Sequence, residues 1–153
     1  MSNLRKFLPK SDWDILRKHS YAEANHKCLI CGDTGLRQGY NHALECHEEW
    51  EYIFKKDIHK FETPIQKLDS LTALCPRCHE VKHFGLASIK GRKNEALDHL
   101  MLVNNIGLKE ANAHVDKAFR LWNKLSRYEW RIDCSLIKEK FGIEVITNGN
   151  KYI

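Results

Sequence analysis

The sequence predicts an α+β fold: a zinc-stapled middle segment with a helix before it and a small helical extension after it. Two observations carry this. Two Cys-x-x-Cys pairs, Cys28–Cys31 and Cys75–Cys78, bracket 43 residues of irregular, strand-like pattern. On either side, apolar residues recur at helical spacing. The 153 residues make one domain's worth of chain, so 1–153 is read as a single domain, with a finger core over 28–84 and the helical extension over 85–153.

The elements follow in order. Residues 11–26 read as a helix capped by Ser11, with Asp14 three residues on. Trp13, Leu16, Tyr21 and Ala22 supply its core stripe. Gly32 permits the tight turn after Cys31. Strands are expected over Ala43–His47, Glu51–Lys56 and Ile65–Leu68, the last only at an edge or beginning at Pro64. Pro76 suits a first helical turn, so a helix is expected through Ser88. Further helices are expected over Lys93–Asn104, Lys109–Tyr128 and Ser135–Lys140, the last stopped by Gly142. In the third of these four, Ala111, Val115, Ala118, Phe119, Trp122 and Leu125 share an apolar face, which puts Trp122 in the core. Ile143–Ile146 is expected to close as a strand.

Composition narrows the function. With 42% hydrophobic and 29% charged residues the chain has the makeup of a folded globular protein, not a disordered one. No apolar run is long enough for a membrane span, and residues 1–10 have no signal-peptide pattern, so a cytoplasmic protein is expected. The net charge of +5 permits phosphate contact without requiring it.

In a cytosolic chain, paired Cys-x-x-Cys reads as metal binding before disulfide. Cys28, Cys31, Cys75 and Cys78 have the spacing of a four-thiolate structural zinc site. Cys134 is expected to be a packed small hydrophobe. Immediately after the second pair, His79 and His83 lie four residues apart, one turn apart on a helix. That spacing suits chelation of one metal ion and also suits two solvated histidines. The same stretch matches H-E-x-x-H, in which Glu80 acts as base to a zinc-bound water; Glu95 or His99 would be the third ligand. His47, in Leu44-Glu45-Cys46-His47-Glu48-Glu49, reads as a general base near a metal or as a histidine in an acidic surface strand.

Together these pieces resemble the HNH endonuclease family, the ββα-metal or His-Me finger nucleases. The resemblance covers about residues 28–84: a Cys-x-x-Cys at Cys28–Cys31, a strand ending in Cys46-His47, Ser70-Leu71, then Leu74-Cys75-Pro76-Arg77-Cys78-His79 with Lys82-His83 behind it. It implies a zinc-stapled ββα-metal finger and a metal-dependent endonuclease that hydrolyses phosphodiester bonds, with DNA the expected substrate. His47 would be the general base. His79, His83 and Cys46 would hold a catalytic divalent ion (Mg2+, Mn2+, Ni2+ or Zn2+), and Ser70 would orient the base. The four paired cysteines would hold a separate structural Zn2+. Two departures stand out: Cys46 replaces the usual Asp or His, and a thiolate favours zinc or a late metal; Ser70 replaces the usual Asn.

A nuclease must hold a polyanion. Lys82, Lys90, Arg92 and Lys93 follow the metal-binding helix and are the expected nucleic-acid contacts. Lys117, Arg120, Lys124, Arg127 and Arg131 form a second basic stretch. Two other readings remain: a catalytically inactive zinc-stabilised nucleic-acid-binding module, motivated by Cys46 and Ser70, and the H-E-x-x-H zinc metallopeptidase.

Overall fold

A run of alternating side chains from Glu45 pairs with a second run that starts just after Pro64. In the computed structural model, which describes residues 4–54, 63–147, 150 and 151, these become β1 (Glu45–Ile53) and β2 (Ile65–Leu74). They pair antiparallel, His47 opposite Thr72, with a bulge between Glu49 and Trp50. The two strands expected over Ala43–His47 and Glu51–Lys56 are thus one strand; Lys56 lies outside the described residues. Pro64 precedes β2 and needs no ladder donor there, so β2 runs on through ten residues and takes the centre of the sheet.

Before the hairpin lies α1 (Lys10–Glu23). Pro9 stands at its N-cap and makes no side-chain cap bond. Ser11 is therefore inside the first turn, and its hydroxyl donates to Asp12 (3.2 Å), not to a backbone cap. Trp13 and Leu16 are buried as the stripe requires, whereas Ala22 is exposed and Ala24, one residue past the helix, is buried in its place.

After the hairpin come α2 (Pro76–Lys82) and α3 (Phe84–Ile89). The single helix expected through Ser88 is broken at His83, whose φ of −105° and ψ of 41° leave the helical region. Next are α4 (Lys93–Asn104) and α5 (Leu108–Leu125). The chain then returns to the hairpin. The short strand β3 (Arg131–Asp133), which the sequence pattern did not predict, pairs parallel with Ile65–Lys67 of β2. Helix α6 (Ser135–Phe141) ends at Gly142 in the left-handed conformation. The expected closing strand at 143–146 is reduced to β4 (Ile146–Thr147) against β5 (Asn150–Lys151).

Among the described residues, three apolar clusters hold these parts. The first joins Leu4, Leu8, Trp13 and Leu16 to Leu68, Cys134 and Ile137, so the two ends of the chain pack on one face of the hairpin. The second surrounds the cysteine pairs with Ala24, Leu44, Ala73 and Leu74. The third packs Phe84 and Ala87 on Ala96, Leu97, Leu100 and Ala111. Helix α5 contributes little to any of them: Ala111 and Leu125 are buried, but Trp122 is 49% exposed. The core position expected for Trp122 is not found: its ring is half exposed, whereas Phe119 on the same helix reaches the Phe84 ring, with centroids 6.4 Å apart. The middle of the helix's apolar face borders a half-open groove of about 950 Å3 that Lys82 and His83 also reach. Among the described residues, no helix is long and apolar enough to cross a membrane.

Candidate metal centres

The first Cys-x-x-Cys sits on a turn closed by the Gly32 N–H donating to Cys28 O (2.9 Å), with Gly32 at φ +74°. A donation from Leu29 N to Ala73 O (3.0 Å) ties this turn to the end of β2. The second pair straddles the β2–α2 junction. Cys75 is the N-cap of α2, and its sulfur accepts from Cys78 N at 3.4 Å. Gly35 allows the loop after the first pair to press in: a Cβ there would meet His42 O at 2.2 Å and Pro76 Cδ at 2.7 Å.

These contacts bring four sulfurs together. The thiol sulfurs of Cys28, Cys31, Cys75 and Cys78 all lie within 4.8 Å of one another, and three of the four residues are buried. Cys31 and Cys75 Sγ are 3.5 Å apart. A tetrahedron of zinc–sulfur bonds near 2.3 Å has an edge of about 3.8 Å, so the cluster has the size and the donor set for zinc. The crowding also divides the thiols. Hydrogen bonding from Cys78 pulls Cys28 down to about 4, and burial pushes Cys31 up to about 11. Four thiols this close resist being ionised together, and a divalent cation would relieve that.

A second cluster lies across the hairpin. Strand alternation puts Glu45, His47 and Glu49 on the face of β1 that meets α2. His79 on that helix and His83 at its C-cap present their rings side by side, with centroids 4.5 Å apart. The His47 ring is 5.4 Å from His79 and 5.0 Å from His83. One ligand nitrogen from each of the three lies within 4.8 Å of the others. His47 Nδ1 is buried with no hydrogen-bond partner. Three imidazoles grouped this closely could hold a metal ion. Burial first, then the positive charge His83 and His79 would carry, pushes His47 down to about 3, so it is neutral at pH 7.

Glu45 completes this cluster. Its carboxylate pairs with Nδ1 of His79, and that hydrogen bond holds Glu45 at about 2. A carboxylate on one ring nitrogen fixes the tautomer and leaves the other nitrogen's lone pair for a metal. Glu45 was not among the expected site residues, although its two-residue offset from His47 in a strand puts both on one face.

Several expected residues lie elsewhere. Cys46 points to the opposite face from His47, against the first apolar cluster, and is not part of the histidine trio. Burial pushes its thiol up to about 11. The one-residue offset reverses the side chain, so Cys46 cannot join His47 on one ion. Ser70 donates to Asp69 (3.3 Å) and stands opposite Glu49, not His47; the base-orienting contact is absent. Of the expected phosphate contacts, Arg92 is engaged with Glu80 (Nε 2.8 Å) and the Tyr40 hydroxyl (2.8 Å). Lys82 pairs with Glu49 at 2.7 Å. Lys90 and Lys93 are exposed. Glu80 is likewise turned to Arg92, Glu95 is exposed, and His99 lies against Cys78, so neither expected third ligand of an H-E-x-x-H site joins the trio.

Compared with protein-family models, with curated proteins and with solved structures, the chain has no match. The chain is mixed α+β, and its described residues include a cluster of four cysteines that could hold a metal ion and a cluster of three histidines.

Proposed function

We propose that the chain is a metal-dependent HNH-type endonuclease that hydrolyses phosphodiester bonds in DNA, built on a ββα-metal finger stapled by structural zinc. One observation carries the reading: a histidine on the first strand of a hairpin meets one histidine on the helix that follows its second strand and another at that helix's C-cap, with a four-cysteine cluster at the same junction. His79 and His83 would hold a divalent ion, with Glu45 orienting His79. Such an ion stabilises charge on the phosphate and on the leaving oxygen. His47, neutral at pH 7, accepts the proton of the attacking water. The exposed Lys90 and Lys93, with the basic stretch Lys117, Arg120, Lys124, Arg127 and Arg131, supply sequence-independent contacts to phosphates.

A second arrangement of the same trio is favoured by its mutual spacing: His47 as third ligand to the ion instead of base. The experiment is cleavage of supercoiled plasmid with magnesium, manganese, nickel or zinc, beside His47→Ala. Loss of cleavage with the second ion retained makes His47 the base; loss of both makes it a ligand. No cleavage by the wild type, with DNA still bound in a salt-sensitive way, identifies the inactive nucleic-acid-binding module instead. The metallopeptidase is disfavoured by the engagement of Glu80 with Arg92. It would need proteolysis that survives His47→Ala and is lost in Glu80→Gln.

A further inference from the structure

A buried histidine needs a partner for its polar atoms. Helix α4 carries His99 inward, where it is 8% exposed. Its Nε2 lies 3.1 Å from Cys78 Sγ. Its Nδ1 is buried with no hydrogen-bond partner among the described residues. A neutral imidazole has one N–H and one lone pair, and a thiolate offers lone pairs alone. A thiolate at Cys78 can therefore be met only by a proton on Nε2.

We propose that His99 is the outer partner of the four-cysteine site: a positioning residue whose Nε2–H donates to the Cys78 thiolate and fastens α4 to the metal. The proposal rests on zinc at the four cysteines and is independent of the nuclease reading. Four thiolates around one divalent cation leave an excess of negative charge, which hydrogen-bond donors must share. Cys75 already has two: Gln38 Nε2 at 3.2 Å and Cys78 N at 3.4 Å. His99 serves Cys78 from a helix 21 residues away in sequence. The metal would thus bind the finger to α4, part of what the sequence presents as a separate extension. Removing an outer partner of this kind ordinarily weakens metal binding by about ten- to a hundredfold.

The test uses the full chain loaded with zinc, and separately with cobalt(II). His99→Leu removes the donor and keeps buried apolar volume; His99→Gln keeps an N–H donor. Zinc transfer to a chelating dye is the first readout. The expected result is a loss of zinc affinity of about ten- to a hundredfold in His99→Leu, largely restored in His99→Gln, with a shifted thiolate-to-cobalt absorption band in the leucine variant. Equal affinity in His99→Leu and wild type overturns the proposal. So does a histidine-to-glutamine variant as weak as the leucine one, because packing would then explain the loss. A wild-type cobalt spectrum of three sulfurs and one nitrogen also overturns it, by making His99 a ligand. If His99→Leu does not fold, nitrogen NMR of the zinc-loaded wild type decides: the Nε2–H tautomer supports the role and the Nδ1–H tautomer overturns it. A wild type that holds no zinc overturns the proposal together with the site.

Discussion

The two donor clusters of this molecule sit at one junction and are built differently. The cysteine cluster has four donors, three of them on buried residues; its sulfurs take hydrogen bonds from Gln38 and from the α2 backbone, and His99 Nε2 lies against Cys78. The histidine cluster has three donors, none on a buried residue, with one carboxylate behind it. Closed four-donor sites stabilise folds, and sites with fewer protein ligands keep a position for water or substrate. Under the proposed function, folding belongs to one cluster and chemistry to the other, and each half can be attacked separately.

The largest effect is expected at the cysteines. Cys75→Ser, or a strong chelator on the wild type, should remove the metal around which the second apolar cluster is arranged. Free energy of binding at such sites is folding free energy, so the thermal midpoint should fall by roughly 10 °C or more; circular dichroism on heating would show it. An unchanged midpoint would end the structural half of the comparison. His79→Ala should do the reverse. It removes a partly exposed ring, so stability should change by about 1 kcal/mol or less, while binding of an ion at the trio should be lost. Calorimetric titration of the zinc-loaded chain with nickel or manganese measures that loss, and undiminished binding would remove His79 from the site.

Glu45→Gln is expected to act more gently. It keeps the side chain's shape and removes the charge on which His79 Nδ1 is oriented. The same titration should show binding at the trio weakened by about ten- to a hundredfold, with the thermal midpoint near that of the wild type. Cys46→Ala should be the mildest for metals, changing the content of neither cluster, because the thiol faces the apolar core. It should cost about 1 kcal/mol by denaturant unfolding. A metal-content change in this variant would place the Cys46 sulfur back among the ligands.

How far each cluster could be read beforehand follows from chain geometry. A Cys-x-x-Cys pair is local, because a single turn brings both sulfurs to one point, so all four cysteines were legible from spacing. His79 and His83 were legible for the same reason, one helical turn apart. Cys46 was expected as a ligand from the family resemblance alone, whereas successive strand residues face opposite ways and its thiol packs on the first apolar cluster. Glu45 needed only that same alternation. His99 and Gln38 carried no local signal, since their partners lie 21 and 37 residues away in sequence. Arg92 looked like a phosphate contact until its pairing with Glu80 and Tyr40 was seen.

The helices divide in the same way. The apolar stripes of α1 and α5 follow the same spacing rule, yet Trp13 and Leu16 are buried and Trp122 is half exposed. Periodicity says which face of a helix is apolar, not whether anything packs on it. The sequence by itself determined the local pieces: the cysteine turns, the histidine pair, the strand and helix stretches and the α+β class. Tertiary structure decided which distant pieces meet. It brought β3 back beside β2, turned His47 toward α2 and Cys46 away from it, and set His99 against Cys78. The physical reason is range: turns and helical spacing are fixed within a few residues, whereas the meeting of remote side chains depends on how whole elements pack.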